Sequence, residues 1–420
     1  MKKKFKTISS CRLCRSKKLS TVFSLEDIPI PEIYEKNIKL ANNRQRFPQT
    51  IIRCLNCKHI QIKETINQTN LWDNYTYFSN QTKDIENHFK KLAIKIIKSY
   101  NLKNSDLVID IGSNDGTFLK MFRNKTKVLG IDPAKTVANY AIKKNKIPTI
   151  INYFDNKTVL RIIKKYQKAK IVLAFNVFAH TPSMINFVKN IKKILDTKGI
   201  FIFEAQYLKD ILHNNILGTF FHEHISHHSI YSLKKLFNAE NLKFIKIENI
   251  NIQKGSILGF VTHKENKIKE SHLIKKLIKL EKKYNVNTHK KILDFYKNVK
   301  KNKNLATKLT KNFNNICGFG AARSGPTLLR NFNIENKIKY IFDDHKMKIN
   351  KYTPVSAIKI IATSKLYKLM PDLTVILAYL HNKKIIKKNI VYLKKGGTFM
   401  ILYPKPKLIN KKNYLNFIHD

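Results

Sequence analysis

The chain has 420 residues and a formal net charge of +53, from 81 Lys and Arg against 28 Asp and Glu. This length predicts two or three domains. Only nine of the basic residues are Arg, which reads DNA bases most often, and the lysines are spread along the whole chain. We therefore interpret the charge mainly as a compositional background. No run of 18 apolar residues occurs, which argues against a membrane protein.

Four of the five cysteines form two C-x-x-C pairs, Cys11 with Cys14 and Cys54 with Cys57. Two such pairs supply the four thiolates of a closed tetrahedral zinc site. Two disulfides or a redox motif are the alternatives, but no apolar signal segment follows the basic N-terminus, so we expect reduced cysteines in a cytoplasmic protein. A saturated site leaves no position for chemistry. The pairs therefore predict structural zinc in a domain over residues 1–70.

Residues 106–132 have the pattern of a strand, a Gly-rich turn, a helix and a second strand that ends in an acid. The turn reads D-x-G-x-x-x-G and lacks the glycine spacing of a dinucleotide site. It favours S-adenosylmethionine (SAM), with a carboxylate for the ammonium group and Asp132 for the ribose hydroxyls. A βα turn with incidental glycines is the alternative. The candidate cofactor residues are Asp110, Gly112, Asn114, Gly116, Asp132 and Asn176.

Further apolar strands near residues 171–176 and 199–204 predict a Rossmann-like SAM methyltransferase domain over residues 71–265. Asn176, His180 and Glu204 lie at or just past the ends of these strands, where open α/β sheets bind ligands. His180 is equally consistent with a capping or surface residue.

The segment Phe221-His222-Glu223-His224 belongs to a stretch with four histidines and one glutamate. The zinc-protease spacing H-E-x-x-H is absent, because Ser226 stands at the last position. A histidine next to a carboxylate favours a general base. A metal site and structural histidines are the alternatives.

Residues 266–420 begin with a Lys-rich helical segment and continue with strands and Gly-rich turns, which predicts a smaller C-terminal α/β domain for substrate binding. The turn around Gly320, Arg323 and Ser324 precedes a helix and is a candidate diphosphate site. A tight structural turn is the alternative.

Taken together, these motifs resemble the sugar C-methyltransferases, which methylate carbons of nucleotide-linked deoxysugars. The resemblance rests on the cysteine pairs, the aromatic stretch 72–79, the D-x-G-S-N-D-G turn, Asn176–His180, the H-E-H run and Gly318–Gly325. It implies that His224 is the base, with Glu223 beside it, and that His180 and a tyrosine of the aromatic stretch line the same pocket. We take Tyr77 as catalytic, and Tyr75, Phe221 and His222 as substrate contacts.

The resemblance implies a nucleotide-linked keto-deoxysugar as substrate, methylated most simply at C-3 of a 4-keto-6-deoxyhexose. Phe221 stands where the family commonly has Tyr, so one phenol that can bond the keto oxygen is missing. O- or N-methylation of a sugar nucleotide is an alternative, and a zinc-stabilised nucleic-acid-binding protein is a weaker one. We expect neither a membrane nor a nucleic acid as partner. The sequence gives no oligomeric state.

Overall fold

The computed structural model describes residues 5–72, 75, 77–81, 83–252 and 254–419. Three regions follow one another along the chain, and each contributes its own β-sheet. The predicted mixed α/β architecture is confirmed. No helix in the described part of the chain has both the length and the apolar character that crossing a membrane requires.

The N-terminal region is built mainly from antiparallel strands. Its elements are β1 (Phe5–Thr7), β2 (Leu19–Ile28), α1 (Ile38–Asn42), β3 (Phe47–Cys54), β4 (Ile60–Ile62), β5 (Glu64–Ile66) and α2 (Gln68–Trp72). Strands β2, β3 and β4 form one sheet, and β1 pairs with β5. Cys11 and Cys14 lie in the turn before β2, whereas Cys54 ends β3 and Cys57 lies in the turn that follows. The two pairs come close together because the β2–β3 pairing places Leu19 opposite Cys54.

The central region is a Rossmann-like sheet with helices. Its first elements are α3 (Lys83–Ser99), β6 (Leu107–Ile111), α4 (Thr117–Lys120), β7 (Lys127–Ile131), α5 (Lys135–Lys143), β8 (Thr149–Ile150), α6 (Asn156–Lys165), β9 (Ala169–Phe175) and α7 (Met184–Ile194). These are followed by β10 (Leu195–Gln206), α8 (Leu208–His213), β11 (Ser226–His227), α9 (Ile230–Ala239), β12 (Leu242–Ile250) and β13 (Ser256–His263).

The seven-stranded central sheet has the order β12-β13-β10-β9-β6-β7-β8. The five strands β10, β9, β6, β7 and β8 are parallel to one another, whereas β13 is antiparallel to both of its neighbours, β10 and β12. The chain goes from β6 to one side of the sheet and then returns to its other side with β9. The carboxyl ends of β6 and β9 therefore form a topological switch point, the usual ligand position in such sheets.

Strand β11 comes from the central region of the chain but pairs with β4 at the edge of the N-terminal sheet. Ser226 pairs with Gln61, and His227 pairs with Ile60. In addition, the backbone N–H of Ile62 donates to the carbonyl oxygen of Ile225 at 3.0 Å. The H-E-H run is thus held by hydrogen bonds against the zinc-binding region.

The C-terminal region begins with two helices, and the longer one is capped by Thr288, whose side chain accepts from the backbone N–H of Lys291. Its elements are α10 (His272–Lys283), α11 (His289–Thr310), β14 (Ile316–Phe319), α12 (Gly325–Asn331), β15 (Ile338–Phe342), β16 (Lys359–Ile361), α13 (Leu366–Leu369), β17 (Leu373–Ile376), α14 (Asn382–Lys388), α15 (Ile390–Lys394), β18 (Phe399–Ile401), β19 (Lys407–Ile409) and α16 (Tyr414–His419).

The C-terminal sheet, like the central one, is mainly parallel and extends in both directions from its first strand. Its order is β16-β15-β14-β17-β18-β19, and only the β18–β19 pair is antiparallel. A second topological switch point therefore lies between the carboxyl ends of β14 and β17.

Candidate active site and zinc site

The four paired cysteines converge on one point. The sulfur atoms of Cys11, Cys14, Cys54 and Cys57 all lie within 4.8 Å of one another, and no disulfide joins them. Cys11 Sγ lies 3.6 Å from Cys57 Sγ, and Cys14 Sγ lies 3.5 Å from Cys54 Sγ. A zinc ion about 2.3 Å from each sulfur holds tetrahedral sulfurs about 3.8 Å apart. The cluster therefore fits structural zinc.

One cavity of about 1520 Å³ lies where the three regions meet. Its walls include Trp72 from the N-terminal region, the Gly112 turn and His224 from the central region, and the Gly320 turn from the C-terminal region. A single bound ligand typically needs roughly 300–1,000 Å³. The cavity has room for two ligands side by side.

The Gly112 turn lies at the first switch point. Gly112 has φ +68°, and a Cβ there would lie 2.3 Å from Val177 Cγ2, so only glycine fits without a shift. Asp132 lies at the end of β7 and accepts the backbone N–H groups of Asn114 and Ala134, each at 2.8 Å. Burial raises the pKa of Asp132 to about 6, against these two hydrogen bonds. The turn and its acid fit a bound SAM.

Not every predicted cofactor residue lines the cavity. Asp110 lies inside the sheet, opposite Gly130 and Leu173, and burial together with Asp132 raises its pKa to about 8. Gly116 is the N-cap of α4, and a Cβ there would meet Ile147 and Ala141 at 3.0–3.2 Å. Asp110 and Gly116 therefore support the conformation of the turn and do not face the cavity. Gly112, Asn114, Asp132 and Asn176 do line the cavity.

Asn114 connects the turn to the aromatic stretch. Its side chain accepts the backbone N–H of Ser79 at 3.0 Å and donates to the carbonyl oxygen of Tyr77 at 3.0 Å. Tyr75 and Tyr77 both line the cavity. The stretch quoted in the sequence also contains Asp73, Asn74 and Thr76, which lie outside the described residues.

The C-terminal turn has the same construction as the SAM turn. Gly320 has φ +86°, and a Cβ there would lie 2.4 Å from Ala378 Cβ. The backbone N–H of Ala321 donates to Asp343 Oδ2 at 2.7 Å, as that of Asn114 does to Asp132. Asp343 follows β15 just as Asp132 follows β7. Both turns face the one cavity.

The backbone of the Gly320 turn is a poor phosphate cradle. The N–H groups of Gly320, Ala321, Ala322 and Gly325 are all occupied by internal acceptors at 2.7–2.8 Å. The hydroxyl of Ser324 donates to the carbonyl oxygen of Leu377 at 3.3 Å. The following helix α12 has only seven residues. The geometry therefore does not support the prediction that this turn receives a diphosphate on its backbone.

His224 lies on the cavity wall with a defined tautomer. Its Nδ1 donates to the carbonyl oxygen of Thr219 at 3.0 Å, so the lone pair is on Nε2. Burial lowers the pKa of His224 below its usual range, and His180 and His227 add to this effect. His224 is therefore a neutral imidazole with one basic nitrogen.

Glu223 does not orient this imidazole, although it precedes it in sequence. Its Oε2 lies 2.7 Å from Nη1 of Arg323, and the carboxylate is 3% exposed. Glu223 and His224 lie in a tight turn, in which the backbone N–H of His224 donates to Phe221, and their side chains contact different partners. We expected the Glu223 carboxylate to raise the basicity of His224, but it contacts Arg323 instead. The imidazole of His224 is oriented by the carbonyl oxygen of Thr219.

Arg323 is surrounded by residues of all three regions. Besides Glu223, its Nε lies 3.7 Å from Glu32 Oε1. Its guanidinium carbon lies 4.5 Å from the ring centroid of Tyr75 and 5.4 Å from that of Tyr77. Arg323 thus connects the C-terminal turn to the aromatic stretch and to the H-E-H run.

His180 and Phe221 flank the proposed base. The His180 ring centroid lies 5.0 Å from that of His224 and 5.4 Å from that of Trp72, and the Phe221 centroid lies 4.2 Å from that of His224. Burial and the charge of Arg323 lower the pKa of His180 to about 4. Both histidines are therefore neutral near pH 7.

His222 faces away from the cavity. It is buried, its Nε2 lies 3.3 Å from the carbonyl oxygen of Ile28, and its ring contacts Phe47. Its position removes it from the proposed substrate contacts. Sequence reasoning missed Glu32 and Lys348, which lie 3.5 Å apart on the cavity wall, because nothing local to either residue marks it.

Three family profiles match the chain. They are described as a C-methyltransferase C-terminal domain (residues 251–404), a methyltransferase domain (residues 85–247) and a zinc-binding domain (residues 11–72). A curated relative, the C-methyltransferase NovU of Streptomyces niveus, is 25% identical over 414 residues, which cover 97% of this chain and 98% of that protein.

Two solved structures illustrate the limited similarity to known folds. One is a SAM-dependent methyltransferase from Clostridium acetobutylicum, with 12% identity, a TM-score of 0.34 and coverage of 42% of this chain and 90% of that one. Another is the magnesium protoporphyrin IX methyltransferase ChlM from Synechocystis PCC 6803 with bound S-adenosylhomocysteine, with 12% identity, a TM-score of 0.34 and coverage of 42% and 83%.

The matched domains, together with the turn at the first switch point, define a SAM-dependent methyltransferase. The three matches give the chain the domain arrangement of a C-methyltransferase with an N-terminal zinc-binding domain, and the curated relative NovU is similar over nearly its whole length. The predicted cofactor, SAM, and the predicted structural zinc are both confirmed at this level.

Proposed function

We propose that the protein methylates a carbon next to the carbonyl of a nucleotide-linked keto-deoxysugar, most simply C-3 of a 4-keto-6-deoxyhexose. The observation that carries this proposal is the tautomer of His224, a neutral imidazole with its basic nitrogen at Nε2. His224 lines the same cavity as the Gly112 turn and the Gly320 turn. A sugar carbon becomes a nucleophile only after it loses a proton next to a carbonyl, and that step needs such a base.

The nucleotide part of the substrate is supported by the second turn. Asp343 occupies at the Gly320 turn the position that Asp132 occupies at the Gly112 turn. In Rossmann-like domains an acid at this position meets ribose hydroxyls. We assign the ribose of the sugar nucleotide to the neighbourhood of Asp343.

The diphosphate is better served by lysines than by the turn. Lys254 and Lys383 line the cavity, and neither forms an ion pair with a described carboxylate. Burial lowers the pKa of Lys254, and the nearby charge of Lys383 lowers it further. Two adjacent ammonium groups without a counter-charge suit an anion.

In the proposed reaction, His224 Nε2 takes the proton from the carbon next to the keto group, and the electron pair moves to the keto oxygen. Bound SAM supplies an electrophilic methyl group on a positively charged sulfur. The phenols of Tyr75 and Tyr77 lie beside the Arg323 charge and can donate to the enolate oxygen. General-base catalysis of this kind contributes roughly 10²–10⁴-fold.

The test is proton exchange in deuterated water with a nucleotide-linked 4-keto-6-deoxyhexose, with or without S-adenosylhomocysteine. Wild-type protein should exchange the proton next to the keto group, and with SAM it should transfer a methyl group to that carbon, seen by mass spectrometry and NMR. His224→Asn should lose both activities. His213→Asn is a matched control on α8 outside the lining residues and should keep both.

Two results would reject the proposal. Full methyl transfer by the His224→Asn protein would remove the base assignment. Methyl transfer to a sugar nucleotide without any keto group would contradict the enolate route and favour O- or N-methylation.

A further inference from the structure

Six carboxylates line the cavity, and five of them contact a Lys, an Arg or a backbone N–H group. Glu32 lies near Arg323 and Lys348, and Asp84 pairs with Lys384. The other three accept backbone N–H groups: Asp132 from Asn114 and Ala134, Asp155 from Thr158, and Asp343 from Ala321 and His345. The sixth is Glu204, whose side chain is 1% exposed.

The Glu204 carboxylate contacts two side chains, and these contacts leave it able to bind a cation as well. Its Oε2 lies 2.7 Å from His88 Nε2, and its Oε1 accepts from Asn176 Nδ2 at 3.3 Å. A carboxylate offers about four lone-pair positions, so two contacts leave it able to accept further donors. Neither partner is a Lys, an Arg or a backbone amide, and the Glu204 side chain is almost fully buried, which makes a cationic partner favourable.

Glu204 also lies at the first switch point. The backbone N–H of Asn176 donates to the carbonyl oxygen of Glu204 at 2.9 Å. The next residue, Val177, is the one that a Cβ on Gly112 would touch. The Glu204 carboxylate also accepts from the side chain of Asn176, so it lies next to the segment that closely approaches Gly112.

We propose that Glu204, oriented by His88 and Asn176, binds the α-ammonium group of the methionyl part of SAM. The sequence analysis assigned the ammonium group to an unnamed carboxylate, and Asp110, the candidate cofactor residue inside the sheet, does not line the cavity. The inference concerns the cofactor alone and does not depend on the identity of the methyl acceptor.

The test compares two ligands that differ in the amino-acid part. S-adenosylhomocysteine carries the α-ammonium group, whereas 5′-methylthioadenosine keeps the adenosine and the sulfur but lacks it. By calorimetry, Glu204→Gln should weaken S-adenosylhomocysteine binding about tenfold to hundredfold, the loss expected for a hydrogen bond between charged groups. Its affinity for 5′-methylthioadenosine should stay within about twofold of wild type.

Two further variants keep the test decisive. Asp84→Asn alters another lining carboxylate on α3 and should bind both ligands as wild type does. Glu204→Asp keeps the charge on a shorter side chain, so it should fold even if the Gln variant does not, and it should show a smaller but equally selective loss. Unchanged S-adenosylhomocysteine binding, or an equal loss for both ligands, would overturn the ammonium assignment. No acceptor is present in this assay, so either result leaves the proposed sugar substrate untouched.

Discussion

Glu223 and Arg323, one hundred residues apart in sequence, form an ion pair with Nη1 2.7 Å from Oε2, in which the Glu223 carboxylate is buried and Arg323 is 20% exposed. Burial alone would lower the pKa of Arg323, but Glu223 and the neighbouring Tyr75 and Glu32 raise it above its usual range. Burial raises the pKa of Glu223, and Arg323 opposes that shift. The pair joins the C-terminal turn to the loop that contains His224.

We expect Arg323→Met to leave Glu223 buried without its cation. Removing one member of a buried pair costs about 3–5 kcal/mol, because the remaining charge is uncompensated. Denaturant unfolding should show this loss. The double variant Arg323→Met, Glu223→Gln should recover part of it, since no buried charge is left unpaired. A double variant as unstable as the sum of the single ones would show that the pair does not couple the two regions.

The two acids at the two turns predict opposite ligand effects. Asp132→Asn should weaken SAM binding about tenfold or more, since it weakens two backbone contacts at the cofactor turn and removes a charged ribose acceptor. Asp343→Asn is the matched control, because it makes the same change at the Gly320 turn. It should leave SAM affinity unchanged and weaken the sugar nucleotide. Calorimetry with each ligand separates the two, and an equal effect of both variants on SAM would contradict separate turns.

Zinc should be required for the N-terminal region to fold. Cys57→Ser removes one of four converging thiolates, so we expect metal content near one zinc per wild-type chain to fall sharply and the melting temperature to drop. Cys317→Ser is the control, because this buried thiol lies in β14 outside the cluster. Elemental analysis measures the metal directly. Wild-type stability unaffected by a strong chelator that removes the metal would show that zinc is not structural.

Local sequence patterns were sufficient to predict features that are formed by residues close together in the chain. Each cysteine pair and the turn from Gly112 to Asp132 are set by residues close in sequence. The four-cysteine cluster and the cofactor SAM are confirmed, while the role of the turn in holding SAM stays a prediction. The partner of Glu223 was not predictable in this way. Adjacency suggested His224, whereas the docking of the C-terminal region provides Arg323.

The same limit applies to the Gly320 turn. Its glycines predicted a close backbone approach, and Gly320 does approach Ala378. Whether the N–H groups remain free for phosphate depends on acceptors elsewhere, such as Asp343 and the carbonyl oxygen of Phe342. A pattern of residues within the turn contains no information about those acceptors.

The pH dependence of methyl transfer should report the environment of His224. Burial lowers the pKa of His224, with His180 and His227 adding to the shift, so the base stays deprotonated below the ordinary histidine value of about 6.5. Activity requires the neutral form and is lost only as the pH falls through this lowered pKa. We therefore expect the acid limb of kcat/KM to lie clearly below pH 6.5, measured from pH 4.5 to 8 within the range in which circular dichroism shows the protein folded. A limb at or above 6.5 would mean that the essential base is not this buried imidazole.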